Sequence, residues 1–276
     1  MNPYYSDDRV SLYHARCEEV LPDICGIGLV LTSPPYNLGK ASGAEFKALG
    51  AGYDGYEDSM PQAEYEAWQR DVLTMLWGTL ADDGAIFYNH RPRVGGDEAW
   101  LPLVLNPGLP LRQIVIWART GGYNRTFSYF VPVHEWVMIF AKPAWRLATR
   151  LENDVWVIPH EVLKAHPATF PMELARRAIR STSAQLVLDP FCGSGTTLLA
   201  AVALGRNAVG VEQSEKYCEQ IATRLVAHAE LRGRFPDRFV DQMATGKVMP
   251  GSPPRQRVVR TDGSTERRRN PKERRA

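Results

Sequence analysis

Two stretches of the chain carry residue types that could do chemistry. The first, residues 27–37, reads Ile-Gly-Leu-Val-Leu-Thr-Ser-Pro-Pro-Tyr-Asn. Pro34 and Pro35 cannot continue a sheet ladder, because a proline has no backbone N–H and fixes φ. The chain must therefore leave an apolar strand here. It presents Ser33 and Tyr36 just beyond the strand's carboxyl end, where open α/β sheets hold ligands. The Ser33 hydroxyl and the Pro34 carbonyl are then two acceptors at a fixed spacing, and Tyr36 offers a flat surface for stacking. Such a site suits a planar heterocycle with an exocyclic amino group, whose two N–H donors need two acceptors.

The second stretch, residues 186–197, reads Leu-Val-Leu-Asp-Pro-Phe-Cys-Gly-Ser-Gly-Thr-Thr. It is a strand running through a glycine turn into a helix. Gly193 and Gly195 let backbone approach a ligand, and a helix N-terminus follows. A nucleotide P-loop would need a lysine after the glycines, and none follows; a dinucleotide fingerprint would need glycine at Leu198. Residues 205–212, Gly-Arg-Asn-Ala-Val-Gly-Val-Glu, then place Glu212 at the end of a second strand, 17 residues after Gly195. An acid in that position can take both ribose hydroxyls of an adenosine cofactor.

The elements that must position these residues follow from apolar patterning. Strands are predicted at 27–31, 85–88, 112–117, 133–140, 186–188 and 208–211. Helices are predicted at 61–80, opened by Pro61 with Gly84 after its end, at 171–181, at 195–204 stopping at Gly205, and from about 215 to 231. Strands alternating with helices imply an α/β fold with a parallel sheet covered on both faces. Residues 37–60 form a loop too long for a simple connection, which predicts mobility and a functional role. Residues 89–110 and 118–132 are also irregular. From about 234 the chain is rich in Pro and Arg and reads as a disordered tail.

At 276 residues, with 44% apolar and 23% charged residues, the composition is that of a globular protein. No apolar run approaches the ~18 residues of a membrane span, and no signal peptide opens the chain. The four cysteines, Cys17, Cys25, Cys192 and Cys218, show no metal-ligand spacing and read as free thiols of a reducing cytoplasm. His14, His90 and His160 form no metal set. The net charge of +2 hides an uneven distribution. Residues 251–276 carry eight Arg and one Lys against three acids, and 91–150 carry eight Lys/Arg against three acids. Two basic regions on a mildly acidic body imply a polyanion met locally.

Ser33-Pro34-Pro35-Tyr36 and Asp189-Pro-Phe-x-Gly-x-Gly-Thr196 together resemble the paired motifs of the amino-directed DNA methyltransferases. That family transfers a methyl group from S-adenosyl-L-methionine to N4 of cytosine or N6 of adenine. The first motif precedes the second by about 150 residues, which is similar to the permuted β class. The resemblance covers roughly residues 10–228. It implies a Rossmann-like methyltransferase fold, mostly parallel with helices on both faces, and an inserted target-recognition segment, here 91–150. The domain would be 1–233, followed by the basic tail 234–276. Ser33, Pro34, Pro35 and Tyr36 would be catalytic. Asp189, Pro190, Phe191, Gly193, Gly195, Thr196, Thr197 and Glu212 would bind the cofactor. His166, Pro167 and Thr169, in a stretch that resembles the family's helix-opening motif, would join them. The first strand–turn departs from the family: Ala15-Arg16 replaces a Gly-Asp pair that helps hold the adenine, leaving Glu18 or a backbone group as the substitute.

The resemblance implies double-stranded DNA as substrate, a flipped target base, no metal, and a bacterial or phage setting in which the enzyme serves restriction–modification or stands alone. The class admits homodimers. Candidate DNA contacts are Asn37, Lys40, Arg91, Arg93, Arg119, Tyr123, Asn124 and Arg125, with Trp117, Trp136 and Phe140 assigned to the core. Tyr36 would stack on the flipped base and the 37–60 loop would close over it. His134-Glu135 precedes a buried strand without a third partner in view, as structure or as a cofactor-pocket edge. Serine at the first catalytic position, and His-Pro-Ala-Thr-Phe-Pro at 166–171, point to cytosine N4. Alternatives are adenine N6, an RNA or protein amide N-methyltransferase, and a catalytically silent DNA-binding relative.

Overall fold

A computed structural model describes residues 1–37, 59–95, 98–119, 121, 127–149, 153–159 and 171–234. The strands are β1 (Tyr5–Ser6), β2 (Val10–His14), β3 (Ile27–Thr32), β4 (Leu80–His90), β5 (Leu111–Ala118), β6 (His134–Ala141), β7 (Val155–Val157), β8 (Leu186–Asp189) and β9 (Asn207–Glu212). The helices are α1 (Cys17–Val20), α2 (Gln62–Thr79), α3 (Met172–Arg180), α4 (Thr196–Ala203) and α5 (Glu215–Arg234). All nine strands join one sheet in the order β1-β2-β9-β8-β3-β4-β6-β5-β7.

The sheet divides its apolar side chains between two cores, as alternation along a strand requires. On one face Leu29, Leu31, Phe87, Val137, Ile139 and Val187 pack against α3, α4 and α5. On the other, Val30, Ile86, Tyr88, Met138, Phe140 and Leu188 meet α1 and α2, whose Tyr65, Val72, Leu73 and Leu76 are fully buried. Helices thus cover both faces, as an α/β fold demands.

The sheet is mixed rather than parallel throughout. The ladders β2–β9, β9–β8, β8–β3, β3–β4 and β5–β7 are parallel. By contrast β6 runs antiparallel to both β4 and β5, and β1 antiparallel to β2. Residues 119–133 join β5 to β6 with no described helix between them, and a pair so connected closes as a hairpin. Two predicted boundaries also shift. The strand expected at 85–88 begins at Leu80, directly after α2, and Gly84 lies inside it. A Cβ on Gly84 would come within 2.6 Å of the Ile27 carbonyl, at the register shift between β3 and β4. Glycine there permits a close approach of backbone and does not stop the helix. The final helix runs through Gly233 to Arg234.

Packing is tight where β9 passes under the glycine turn. A Cβ on Gly210 would lie 2.5 Å from Cys192 Sγ and 2.7 Å from Leu198 Cδ1. Gly210→Ala is therefore expected to destabilise the fold by about 1–3 kcal/mol, as overpacking does. Urea denaturation should show a lower midpoint with an unchanged slope. An unaltered midpoint would mean that the turn moves aside freely.

Candidate active site

The topology gathers the polar residues at one edge. β2, β9, β8, β3 and β4 are successive parallel neighbours, so His14, Glu212, Asp189, Thr32 and His90 end on the same side. β6 is reversed, which brings its first residues, His134 and Glu135, to that side. β5 runs with β4 and delivers Arg119 there, beside Glu135. This is the edge at which open α/β sheets bind ligands.

The glycine turn follows β8. Asp189 is 2% exposed and anchors it. Its Oδ1 accepts from the Thr32 hydroxyl at 2.8 Å and from the Phe191 backbone N–H at 3.1 Å. Burial pushes the Asp189 carboxyl up to about 6, although hydrogen bonds from Thr197, Thr32 and Phe191 oppose the rise. Gly193 and Gly195 have φ of 50° and 77°, the left-handed conformation that glycine adopts without penalty. Gly195 caps α4. Glu212 closes the turn from β9: its Oε2 accepts from Gly193 N–H at 2.8 Å and its Oε1 from Ser214 N–H at 2.9 Å. Burial raises this carboxyl too. A carboxylate has about four acceptor sites, so capacity for two hydroxyls remains. Phe191, Gly193, Ser194 and Glu212 are partly exposed, whereas Asp189, Pro190, Gly195, Thr196 and Thr197 are buried beneath the turn. The latter group shapes the turn from below. The turn thus meets the requirements of an adenosine-bearing cofactor: glycine backbone, a helix N-terminus and an acid at the neighbouring strand end.

Beside the turn, Trp68 of α2 packs edge-on against Phe191, with centroids 5.8 Å apart. Its indole N–H donates to Glu18 Oε1 at 2.6 Å, and Arg16 reaches the same oxygen at 3.0 Å. Burial pushes the Glu18 carboxyl up, but these and other hydrogen bonds outweigh it and hold the group below its ordinary value. The Arg16 side chain itself is exposed. Glu18, just after the first strand–turn, is thus a fixed carboxylate beside Trp68. Trp68 was legible only as a face residue of a predicted helix.

The Ser-Pro-Pro-Tyr turn follows β3, next to β8. Ser33 is partly exposed, whereas Tyr36, Asn89, His90 and Glu135 are all less than 9% exposed. Ser33 Oγ lies 2.6 Å from the Tyr36 hydroxyl, which donates to Glu135 Oε2 at 3.0 Å. Asn89 Nδ2 donates to the Tyr36 oxygen at 2.6 Å and to Glu135 Oε2 at 2.9 Å. Arg119 Nη1 lies 3.3 Å from Glu135 Oε1. The Tyr36 ring packs on His90, with centroids 4.4 Å apart. Tyr65 of α2 donates to the Pro35 carbonyl at 2.9 Å, and its oxygen is 2.7 Å from His90 Nε2. Burial holds His90 down to about 3, so it is neutral at pH 7.

Several expectations change on this geometry. Tyr36 is not a free stacking platform; its ring is packed on His90 and its hydroxyl is anchored. Asn37 is buried, with φ of 53°. Its side-chain amide clasps both backbone groups of Met60, at 2.8 and 2.7 Å, so that amide is engaged internally. Arg93 is engaged internally with the Asn37 carbonyl, Gln62 and the Trp100 ring. Arg119 turns inward to Glu135 and to the Pro132 carbonyl. Arg91 remains partly exposed. Trp117 and Phe140 are core; Trp136 is only partly buried. Glu135 does have partners: Tyr36, Asn89 and Arg119. Lys40, Tyr123, Asn124, Arg125, His166, Pro167 and Thr169, the rest of the 37–60 loop and the basic tail from 235 lie outside the described residues.

A sheet edge that joins a glycine turn with an acid after the next strand to a Ser-Pro-Pro-Tyr turn defines a methyltransferase class of site. The chain belongs to the N6_N4_Mtase family of DNA methylases, whose model matches residues 27–223. Type II methyltransferase M.ScaI of Streptomyces caespitosus is 28% identical, over 83% of this chain and 85% of that protein. PvuII DNA methyltransferase, cytosine-N4-specific, shares the fold with a TM-score of 0.66 at 20% identity, covering 88% of this chain and 94% of its own. A proposed DNA modification methylase from Thermus thermophilus, solved in complex with S-adenosyl-L-methionine, superposes with a TM-score of 0.56 at 25% identity, over 79% of this chain and 95% of that one.

Two stability tests follow. Arg119→Ala leaves the Glu135 carboxylate buried without its cation, and should cost about 3 kcal/mol in urea denaturation, as breaking a buried pair does. A residue that only touched DNA would leave the midpoint unchanged. Asp189 binds a proton more tightly folded than unfolded. Its contribution to stability should therefore fall as pH rises from its ordinary 3.8 to about 6, then level off. Comparing wild type with Asp189→Asn across that window isolates the effect. A difference that does not vary with pH would contradict it.

Proposed function

We propose that this chain is an S-adenosyl-L-methionine-dependent DNA methyltransferase that methylates the exocyclic amine of a base, and that the base is cytosine, modified at N4. The observation that carries the reading is the Thr32–Asp189 hydrogen bond, which seats the Ser33 turn directly beside the glycine turn. Two turns so joined can hold a methyl donor and an acceptor amine in one cleft.

The glycine turn and Glu212 take the adenosine part of the cofactor, with Glu212 on the ribose hydroxyls and the Gly193–Gly195 backbone alongside. When bound, the cofactor supplies an activated methyl on a sulfonium. The chain's own residues do the rest. An aromatic amine is a poor nucleophile because its lone pair is delocalised into the ring. Ser33 Oγ and the Pro34 carbonyl accept its two N–H bonds, which favours a pyramidal nitrogen with a localised pair. Holding that pair in line with the methyl supplies much of the rate. The amine lies on the base-pairing edge, so the base must leave the duplex, at a cost of a few kcal/mol. Arg91 and the basic tail meet the phosphate backbone. Serine at the motif's first position favours cytosine.

The test separates binding from transfer. Ser33→Ala should keep cofactor affinity, measured by calorimetry, and lose about 10²-fold in labelled methyl transfer to duplex DNA, the order expected for one positioned hydrogen-bonding group. Glu212→Ala should weaken cofactor binding about tenfold or more. Full transfer by Ser33→Ala, or unchanged affinity in Glu212→Ala, would remove that residue from its role.

A further inference from the structure

We infer that Glu135 is the terminal acceptor of a hydrogen-bond relay, Ser33 to Tyr36 to Glu135, that carries away the proton released by the methylated amine. The inference rests on the function proposed above and extends it to a residue two strands away from the Ser33 turn.

The direction of the relay follows from donor and acceptor counting. An ionised carboxylate can only accept. The Tyr36 hydroxyl, 3.0 Å from Glu135 Oε2, must therefore donate to it. That uses Tyr36's only proton, so its oxygen accepts from its other neighbours. One is Asn89 Nδ2, whose second N–H goes to the same carboxylate oxygen. Another is Ser33, 2.6 Å away, which points its proton inward when Tyr36 donates to Glu135. Ser33 then has only lone pairs left for anything on its exposed side. The buried carboxylate thus fixes Ser33 as an acceptor toward the amine. Tyr36, Asn89 and Glu135 are each less than 9% exposed, so the partly exposed Ser33 is the point of entry.

The step balances. The amine's lone pair forms the N–CH3 bond as the S–CH3 bond breaks, and its electrons stay on sulfur. The nitrogen, now cationic, passes one proton to Ser33 Oγ. Ser33 passes its own to Tyr36, and Tyr36 passes its own to Glu135 Oε2. Sulfur loses its positive charge and Glu135 its negative charge, so the cleft gains no net charge. The groups facing Glu135 are Tyr36 from the β3 turn, Asn89 from β4 and Arg119 after β5. His90 touches Tyr36 and is neutral. Arg119 Nη1 lies 3.3 Å from the other oxygen and places a cation against this end of the chain.

Glu135 is a positioning residue in its contacts, so the test must separate relay from scaffold. Glu135→Gln keeps an acceptor for Tyr36 but cannot take the proton, and Tyr36→Phe removes the link while leaving the ring on His90. With the full chain, single-turnover methyl transfer should fall tenfold or more in each. Affinities for S-adenosyl-L-methionine and for DNA should stay within about twofold. The double variant should be no slower than the slower single, because both break the same chain. Glu135→Asp should recover part of the rate. A wild-type rate in Tyr36→Phe, or a double variant whose loss is the product of the two singles, overturns the relay. Should Glu135→Gln fail to fold, Tyr36→Phe alone decides on the first of these criteria. If Ser33→Ala loses transfer while Tyr36→Phe does not, the relay falls and the function stands. If wild type binds the cofactor but methylates no DNA, both fall.

Discussion

A hydrogen bond between two buried side chains 157 residues apart, Thr32 to Asp189, holds the two halves of the site together. Each residue is the last of its strand, and the two strands are parallel neighbours. The bond cannot form unless β3 and β8 pair in register, and once formed it fixes the Ser33 turn against the glycine turn. Thr197 adds to the seam through its hydroxyl, 3.5 Å from the Leu31 carbonyl. Burial costs the carboxylate a raised pKa, and the fold keeps it because both turns are built upon it.

Chain order is immaterial to this geometry. The cofactor turn follows the acceptor turn in sequence, yet the strand order places β8 beside β3 with β9 on its far side. The reversed strand β6 then contributes what the parallel strands cannot: a residue at its beginning, Glu135, on the side where the others end. Strand alternation puts Glu135 and Asn89 on the same face, diagonal neighbours across the β4–β6 ladder, where their side chains can meet. A wholly parallel sheet would have sent Glu135 to the opposite edge.

What was legible in the sequence was what spacing encodes. Prolines after an apolar strand, glycines between a strand and a helix, and an acid at the next strand end are local patterns, and each appears in the structure at its predicted place. Asn89, His90 and Glu135 have no such pattern. Each is a polar residue at a strand end, and only the register of β4 with β6 turns them into a cluster. His134-Glu135 stood out in the sequence but lacked a partner, because the partners of Glu135 lie 16, 46 and 99 residues away. The basic residues misled for a related reason. Charge marks a residue as able to meet phosphate but does not give its direction. Arg93 and Arg119 turn inward to internal acceptors, and Asn37 clasps Met60. Antiparallel β6 was hidden because an apolar run shows a strand but not its sense.

The most direct test of the account is to identify the product. Full-length protein would be incubated with methylation-free, mixed-sequence duplex DNA and S-adenosyl-L-methionine, and the DNA digested to nucleosides for mass spectrometry. N4-methylcytosine is expected, formed by wild type and lost in Ser33→Ala. Cofactor bound with no methylated exocyclic amine on any base would contradict it.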